Sequence, residues 1–308
     1  MAGKNIRVNI FRVVGDLCPF VKIDYMDKYA EEHTGLMMLD SGSNVNILSR
    51  HMADQVGELC KIHNETTDVQ TITNEVITAD TVKFSFVLGG IQYNEKFCIY
   101  DEYQCENVED LPIVGILGNE FMQKYSLVLD YSEFTLHTSN VTPANLNISD
   151  CDFFFPMEIG LDYYGVPILS IQQDGQDIVT IADSGSSDNI LSEKAITRYN
   201  IPCKIHGEDG MVHGISGSAK AKDATVVFNL LTSREDKSET ILFEDHFMVS
   251  PYSLFFDNPK ECDDESDVLP PVDGIIGSPF MAKEGWVLDF GAKIIYKQKR
   301  NPTYAEAI

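Results

Sequence analysis

The sequence predicts an all-β chain built as two related halves. Three observations carry this: a ten-residue motif that occurs twice, a second paired block downstream of each copy, and short apolar stretches rich in β-branched and aromatic residues. Residues 40–49 read Asp-Ser-Gly-Ser-Asn-Val-Asn-Ile-Leu-Ser and residues 183–192 read Asp-Ser-Gly-Ser-Ser-Asp-Asn-Ile-Leu-Ser, agreeing at eight of ten positions, 143 residues apart. Downstream, residues 112–131 and 271–290 share ten of twenty residues at an offset of 159. The two blocks keep their order, so duplication explains them better than coincidence, with 16 extra residues between them in the second half. The extra length is expected in the polar stretches Thr232–Thr240 and Asp257–Asp267, read as surface loops. Ser139–Asp152, rich in Asn, Ser and Thr and containing Pro143, reads as the linker, giving halves of 1–145 and 146–308.

The strands are predicted in chain order from Phe20–Ile23, Leu36–Leu39, Val82–Leu88, Leu127–Leu129, Ile168–Ile171, Ile178–Ile181 and Thr225–Leu230, each short enough for a strand. Gly89-Gly90 and Asp174-Gly175 punctuate them at hairpin distance. The alternation of Ile6, Val8 and Ile10 favours a strand over a removable leader. Two short helices are the exception: Asn119 is expected to cap one, and Ser278 followed by Pro279 to cap the other and fill its first turn.

Composition narrows the function classes. A chain of 308 residues, 44% apolar, can bury two cores. With 23 basic against 48 acidic residues the net charge is -25, which argues against nucleic acid or an anionic membrane as partner. No run of apolar residues is long enough to span a bilayer and the start lacks an apolar signal region, so the expectation is a soluble, cytoplasmic protein unless a signal or propeptide is missing from the sequence. Seven cysteines without a Cys-x-x-Cys pair read as reduced thiols, and the sequons at Asn64, Asn140 and Asn147 as chance. Neither a metal-ligand spacing nor a phosphate-binding glycine loop stands out, so no cofactor and no metal are expected.

The chemistry lies in the duplicated turn. In each half an apolar strand ends in Asp-Ser-Gly-Ser, where glycine allows backbone geometry that other residues resist. A lone Asp-Ser-Gly is weak evidence, being usually a turn. Two copies on halves docked about an approximate two-fold axis bring Asp40 and Asp183 side by side, and like charges so close share one proton. Such a pair contains a base to activate water and an acid to protonate a carbonyl, which is what peptide hydrolysis without a metal or covalent intermediate needs. The two roles are not separable in a coupled pair.

Apolar-apolar-Asp-Ser-Gly-Ser followed some eighty to ninety residues later by Ile-Leu-Gly or Ile-Ile-Gly resembles the aspartic peptidases of the pepsin and retropepsin type, over roughly residues 15–297. The resemblance implies two β-barrel-like halves related by a pseudo-two-fold axis, with the active-site cleft between them. It implies catalytic roles for Asp40 and Asp183 and a water bound between them. It implies turn support from Ser41, Gly42, Ser43, Ser184, Gly185 and Ser186, with Gly118 and Gly277 in the crossing strand behind each turn. Ser41 and Ser184 are expected to bond across the dyad, and the hydroxyls of Ser43 and Ser186 to reach its outer oxygens, favouring an acidic working range. Asp130 and Asp289 are expected to accept turn amides.

One feature departs from pepsin. The first-half substrate-covering hairpin, around Thr71, Ile72 and Thr73, has no tyrosine, while the second half reads Val212-His213-Gly214-Ile215-Ser216-Gly217. Its glycines resemble a retropepsin flap, so Met211–Gly217 is expected to be the more mobile lid of a single-chain tandem enzyme. Val212, Gly214, Ile215, Ser216 and Gly217 are then the substrate-binding candidates, and His213 reads as a solvated side chain. The expected partner is a peptide or protein substrate, bound by a monomer that is internally a pseudo-dimer. The competing reading is a peptide-binding or assembly module without activity, since fold does not fix function. A two-carboxylate glycosidase is a poorer match, because nothing ties its acids to a duplicated turn.

Overall fold

A computed structural model describes residues 5–13, 16–56, 61–70, 76–100, 107–108, 110–139, 151–159, 165–214, 217–234, 237–251 and 272–298. Among them the chain forms three sheets and four short helices. In spatial order the first sheet runs through Phe11–Val13, Asp16–Met26, Glu32–Asp40, Leu111–Gly118, Ile47–Ser49, Ile91–Tyr100, Val76–Leu88 and Lys61–Gln70. The second runs through Glu158–Ile159, Pro167–Gln173, Gln176–Asp183, Gly274–Gly277, Ile190–Ser192, Lys237–Ser250, Gly217–Arg234 and Cys203–Gly214. The two orders correspond strand for strand. Each sheet also curls onto itself, through Tyr25↔Phe86 in one and Ile171↔Leu230 in the other, which makes both barrel-like.

Turn chemistry sets the hairpins. Gly89 and Gly90 take φ of 60° and 74° between Val76–Leu88 and Ile91–Tyr100, and Asp174 and Gly175 take 50° and 78° between Pro167–Gln173 and Gln176–Asp183. Two successive left-handed residues match the right-handed twist of the strands they join. Alternation then chooses the face: Phe84, Phe86 and Leu88 are buried while Lys83 and Ser85, on the opposite face, are exposed.

Each half packs a helix on an aromatic cluster. Phe121 of Asn119–Lys124 lies 5.9 Å from Phe86, ring to ring, and Phe280 of Ser278–Glu284 lies 5.5 Å from Phe228 and 5.3 Å from Trp286. Each such buried side chain contributes roughly 1.5–3 kcal/mol. The helices anchor the crossing strands that end at Gly118 and Gly277.

The third sheet joins the halves: Arg7–Asn9, Thr135–Thr138, Leu127–Asp130, Val287–Asp289, Ile294–Gln298 and Cys151–Pro156. At its centre the two Val-Leu-Asp segments pair antiparallel, Leu129 opposite Leu288. The strand expected around Ile6 to Ile10 is present as Arg7–Asn9, with Ile6 and Ile10 buried. Asp130 accepts the amides of Ser132 and Glu133 at 2.8 and 3.1 Å, and Asp289 that of Ala292 at 2.8 Å, the structural roles expected of them.

Several local expectations are corrected. Asn119 and Ser278 cap nothing: the N-caps are Gly118 and Gly277, without a side-chain cap bond, and the two side chains serve inside the fold instead. Two further helices, Arg50–Val56 and Glu193–Tyr199, start directly after Ser49 and Ser192, whose hydroxyls accept the amides of Met52 and Ala195 at 3.2 and 3.0 Å. Thr232–Thr240 is not a loop over most of its length, since Thr232↔Glu239 and Arg234↔Lys237 continue a long hairpin. Asp257–Asp267 and the boundary near residue 145 lie outside the described residues. Cys18, Cys98, Cys151 and Cys203 are thiols rather than disulfides. No described helix is long and apolar enough to cross a membrane.

Candidate active site

Asp40 ends the strand Glu32–Asp40, and Asp183 ends Gln176–Asp183. Behind each, a crossing strand is threaded between the two limbs of the turn. Leu111–Gly118 runs parallel to the aspartate strand, Gly118 opposite Asp40, and antiparallel to Ile47–Ser49 on its other side. Gly274–Gly277 repeats this, Gly277 opposite Asp183 and Ile275 opposite Ile190. The threading is so tight that a Cβ on Gly118 would overlap the Val45 carbonyl oxygen, and one on Gly277 that of Asp188.

The same reason accounts for Gly42 and Gly185. Neither has a positive φ, so the expected conformational role is corrected: each is glycine because it abuts the opposite aspartate. A Cβ on Gly42 would enter the Asp183 carboxylate, and one on Gly185 that of Asp40.

Ser41 and Ser184, both fully buried, lock the turns together reciprocally. Ser41 N–H donates to Ser184 Oγ at 2.9 Å, whose hydroxyl donates to the Leu39 carbonyl at 2.8 Å. Ser184 N–H donates to Ser41 Oγ at 2.8 Å, whose hydroxyl donates to the Ala182 carbonyl at 2.6 Å. Ser43 and Ser186 behave otherwise than expected. Their hydroxyls turn back to the carbonyls of Val45 and Asp188, at 2.9 and 2.7 Å, because these lie within the same turn. It is the Ser43 amide that reaches Asp40 Oδ1, at 2.9 Å, while the Gly185 amide reaches Asp183 Oδ1 at 2.8 Å.

The two carboxyls are within hydrogen-bonding reach of each other. Burial raises Asp40 well above its ordinary 3.8, and the neighbouring Asp183 charge adds to it, against the lowering by the Ser43 and Gly42 amides. Burial also raises Asp183, although its hydrogen bonds to Asp40 and to the amides of Gly185, Gly42 and Ser186 oppose this. Desolvation therefore outweighs the turn amides. The native state holds protons that the unfolded chain releases, so stability falls as pH rises from about 3.8 through the raised native values and stays reduced above them. Asp40→Asn removes one of the two like charges. Its melting temperature is expected to match wild type below pH 3.8 and to exceed it at neutral pH. The gain should be about 1 kcal/mol, or a few degrees. Calorimetry across pH checks this, and a difference that did not vary with pH would count against the shared proton.

Residues that sequence reasoning passed over support the turns. Asn46 and Asn189 accept the amides of Gly118 and Gly277 at 3.0 and 2.9 Å and donate to the carbonyls of Lys96 and His246 at 3.1 and 2.9 Å. They occupy the seventh position of the duplicated motif, identical in both copies, which was the available signal. Cys18 Sγ stands 3.2 Å from the Gly185 carbonyl. Ser278 donates to the Ser184 carbonyl at 2.7 Å and meets the Tyr131 hydroxyl of the other half, whereas across the pseudo-two-fold axis Ser278 is matched by Asn119, which donates to the Gly165 carbonyl, and Tyr131 by Phe290.

Of the substrate-covering candidates, Gly214 and Gly217 pair across the end of the second-half hairpin. Val212 is buried with Ile190, Ala221 and Ile275, tying that hairpin to the turn substructure. Thr71, Ile72, Thr73, Ile215 and Ser216 lie outside the described residues, as does the His213 side chain.

No protein-family model matches the sequence, and no curated protein matches it. Solved structures do. The aspartic proteinase from Irpex lacteus superposes with a TM-score of 0.53 at 9% identity, covering 98% of this chain and 99% of that one. Basic 7S globulin from soybean gives 0.53 at 8% identity, covering 97% and 98%. Likeness at this identity speaks for fold, and over nearly the full length of both chains it is the same fold. This chain has the two-lobed fold of the pepsin-type aspartic peptidases.

Proposed function

We propose that the chain is an aspartic endopeptidase that hydrolyses peptide bonds with a water activated between Asp40 and Asp183. One observation carries the reading: two carboxyls on equivalent turns, within hydrogen-bonding reach of each other and both raised by burial. A pair holding one proton takes a proton from water with its ionised member and gives one to the substrate carbonyl with the other. The amides of Ser43 and Gly185 each hold one oxygen of a carboxyl, and the Ser41–Ser184 lock ties the two turns together. An extended peptide lies between the dyad and the hairpin ending at Gly214 and Gly217, aligned by main-chain pairing, with apolar side chains beside the scissile bond. The glycine pair there supports a retropepsin-like lid on a single-chain, tandem enzyme.

A second reading keeps the peptide groove without cleavage, and the likeness to a protein named as a globulin favours it. A peptide-library digest followed over pH, with and without a statine-type inhibitor, separates the two. The expected result is a bell-shaped profile abolished by the inhibitor. Its working range should lie above the strongly acidic one implied by turn hydrogen bonds alone, since burial raises both acids. Inhibitor binding with no cleavage at any pH would establish the binding module instead.

A further inference from the structure

Three side chains on the solvent side of the second-half sheet meet outside the peptidase chemistry. His206 stands on Cys203–Gly214, Asp223 on Gly217–Arg234 and His246 on Lys237–Ser250, which are adjacent in the sheet. One ligand atom from each, a ring nitrogen or a carboxylate oxygen, lies within 4.8 Å of the other two.

The backbone builds this meeting. The register slips between Ile205 and Asp209, where Gly207 takes φ of 87°, and His206 comes to rest with Nε2 2.7 Å from the Thr225 hydroxyl. Thr225 is the cross-strand partner of His246, so the two rings stand 6.0 Å apart between centroids. Asp223 lies two residues from Thr225 on the same strand and therefore on the same face. Its carboxylate is 3.8 Å from His246 Nδ1, too far for a hydrogen bond. It is close to the spacing of two ligands on one ion, since bonds of about 2.0–2.2 Å put neighbouring donors about 3–4 Å apart. The adjacent cation is engaged elsewhere, Lys222 bonding Glu193 at 3.1 Å.

We propose that His206, Asp223 and His246 form a binding site for a divalent transition-metal ion, with Zn2+ the best match. Two imidazoles and one carboxylate suit zinc far better than magnesium or calcium, and water fills the open position. The net charge of -25 draws cations to the surface. An ion there ties three strands together at the root of the hairpin that ends at Gly214 and Gly217. The cluster Asp27, Glu31 and His33 differs, because its central carboxylate is already committed: Asp27 Oδ1 accepts the amides of Tyr29 and Glu31 at 2.8 and 2.9 Å, and Oδ2 faces His33 at 3.1 Å.

The test uses the full chain, stripped with a chelator and titrated with Co2+ by visible absorption and with Zn2+ by calorimetry at neutral pH. One ion per chain is expected, with Zn2+ displacing Co2+ and raising the melting temperature. His206→Ala and His246→Ala should each weaken binding at least about 100-fold, as loss of a ligand must exceed the loss of an outer partner. His33→Ala and Asp183→Asn should leave it unchanged, the latter separating this site from the peptidase reading. His206 and His246 are exposed, so the apo variants should melt as wild type does, and His206→Gln repeats the test with a bulkier side chain. Undiminished binding in the double His206→Ala, His246→Ala variant, or no binding at millimolar Zn2+, overturns the proposal.

Discussion

Asp183→Asn and Asp40→Asn are each expected to lower kcat/KM for peptide cleavage by about 10⁴-fold or more, the scale on which removing one member of a catalytic unit acts. Asparagine keeps the shape of aspartate, so the turn survives: the Ser43 amide still finds an oxygen in place of Asp40 Oδ1, and the Gly185 amide one in place of Asp183 Oδ1. What disappears is the shared proton. An amide neither takes a proton from water nor gives one to a carbonyl at accessible pH, and the remaining carboxyl alone supplies one function of the two. Peptide binding should change little, so the loss belongs in kcat rather than KM. Single-turnover assays on a cleaved library peptide would read this directly. Cleavage that persisted in either variant at more than a trace would remove the two-aspartate mechanism, whatever the fold.

The largest stability effect is expected at the crossing strands. Gly118→Ala places a methyl group against the carbonyl oxygens of Val45 and Ser43, which are backbone atoms held by the turn they close. Side chains can swing away from a new atom; these oxygens cannot move without opening the turn that carries Asp40. The expected cost exceeds about 3 kcal/mol, the upper end of ordinary overpacking. Gly90→Ala is the informative contrast. It has nothing within 4 Å of an added Cβ but a φ of 74°, and should cost about 1 kcal/mol through backbone strain alone. Urea unfolding of the two variants compares close approach with conformation, and equal losses would mean that the threading is looser than described.

Much of this was legible in the residues themselves. The duplicated block places Asp40 and Asp183 at strand ends, and Gly89-Gly90 and Asp174-Gly175 announce their hairpins through turn chemistry that only a few residue types satisfy. The helices Arg50–Val56 and Glu193–Tyr199 escaped notice because seven residues are too few for a 3.6-residue period to declare itself, although Ser49 and Ser192 stood at their starts. The direction of the Ser43 and Ser186 hydroxyls was beyond reach, since a serine in a turn has several acceptors at equal distance along the chain. The roles of Asn119 and Ser278 were misread for a related reason. A polar residue after Gly reads as a cap, and nothing local shows that the site is buried against another segment. The conformational reason expected for the glycines of the dyad turns fails because the atoms that exclude a side chain there belong to the opposite half, which no local stretch of sequence displays.

The contact of Ser278 with Ser184 and Tyr131 has no mirror image, since Asn119 stands in the first half where the second has Ser278, and Phe290 in the second where the first has Tyr131. In an assembly of two identical chains, every substitution appears on both sides of the axis, so a change that helps one turn and harms the other is lost. Joining the halves in one chain removes that constraint, and raises the local concentration of each half around the other far beyond what two free chains reach. The reciprocal serines can then stay symmetric, while the residues behind them differentiate and bring the two aspartates into unlike surroundings.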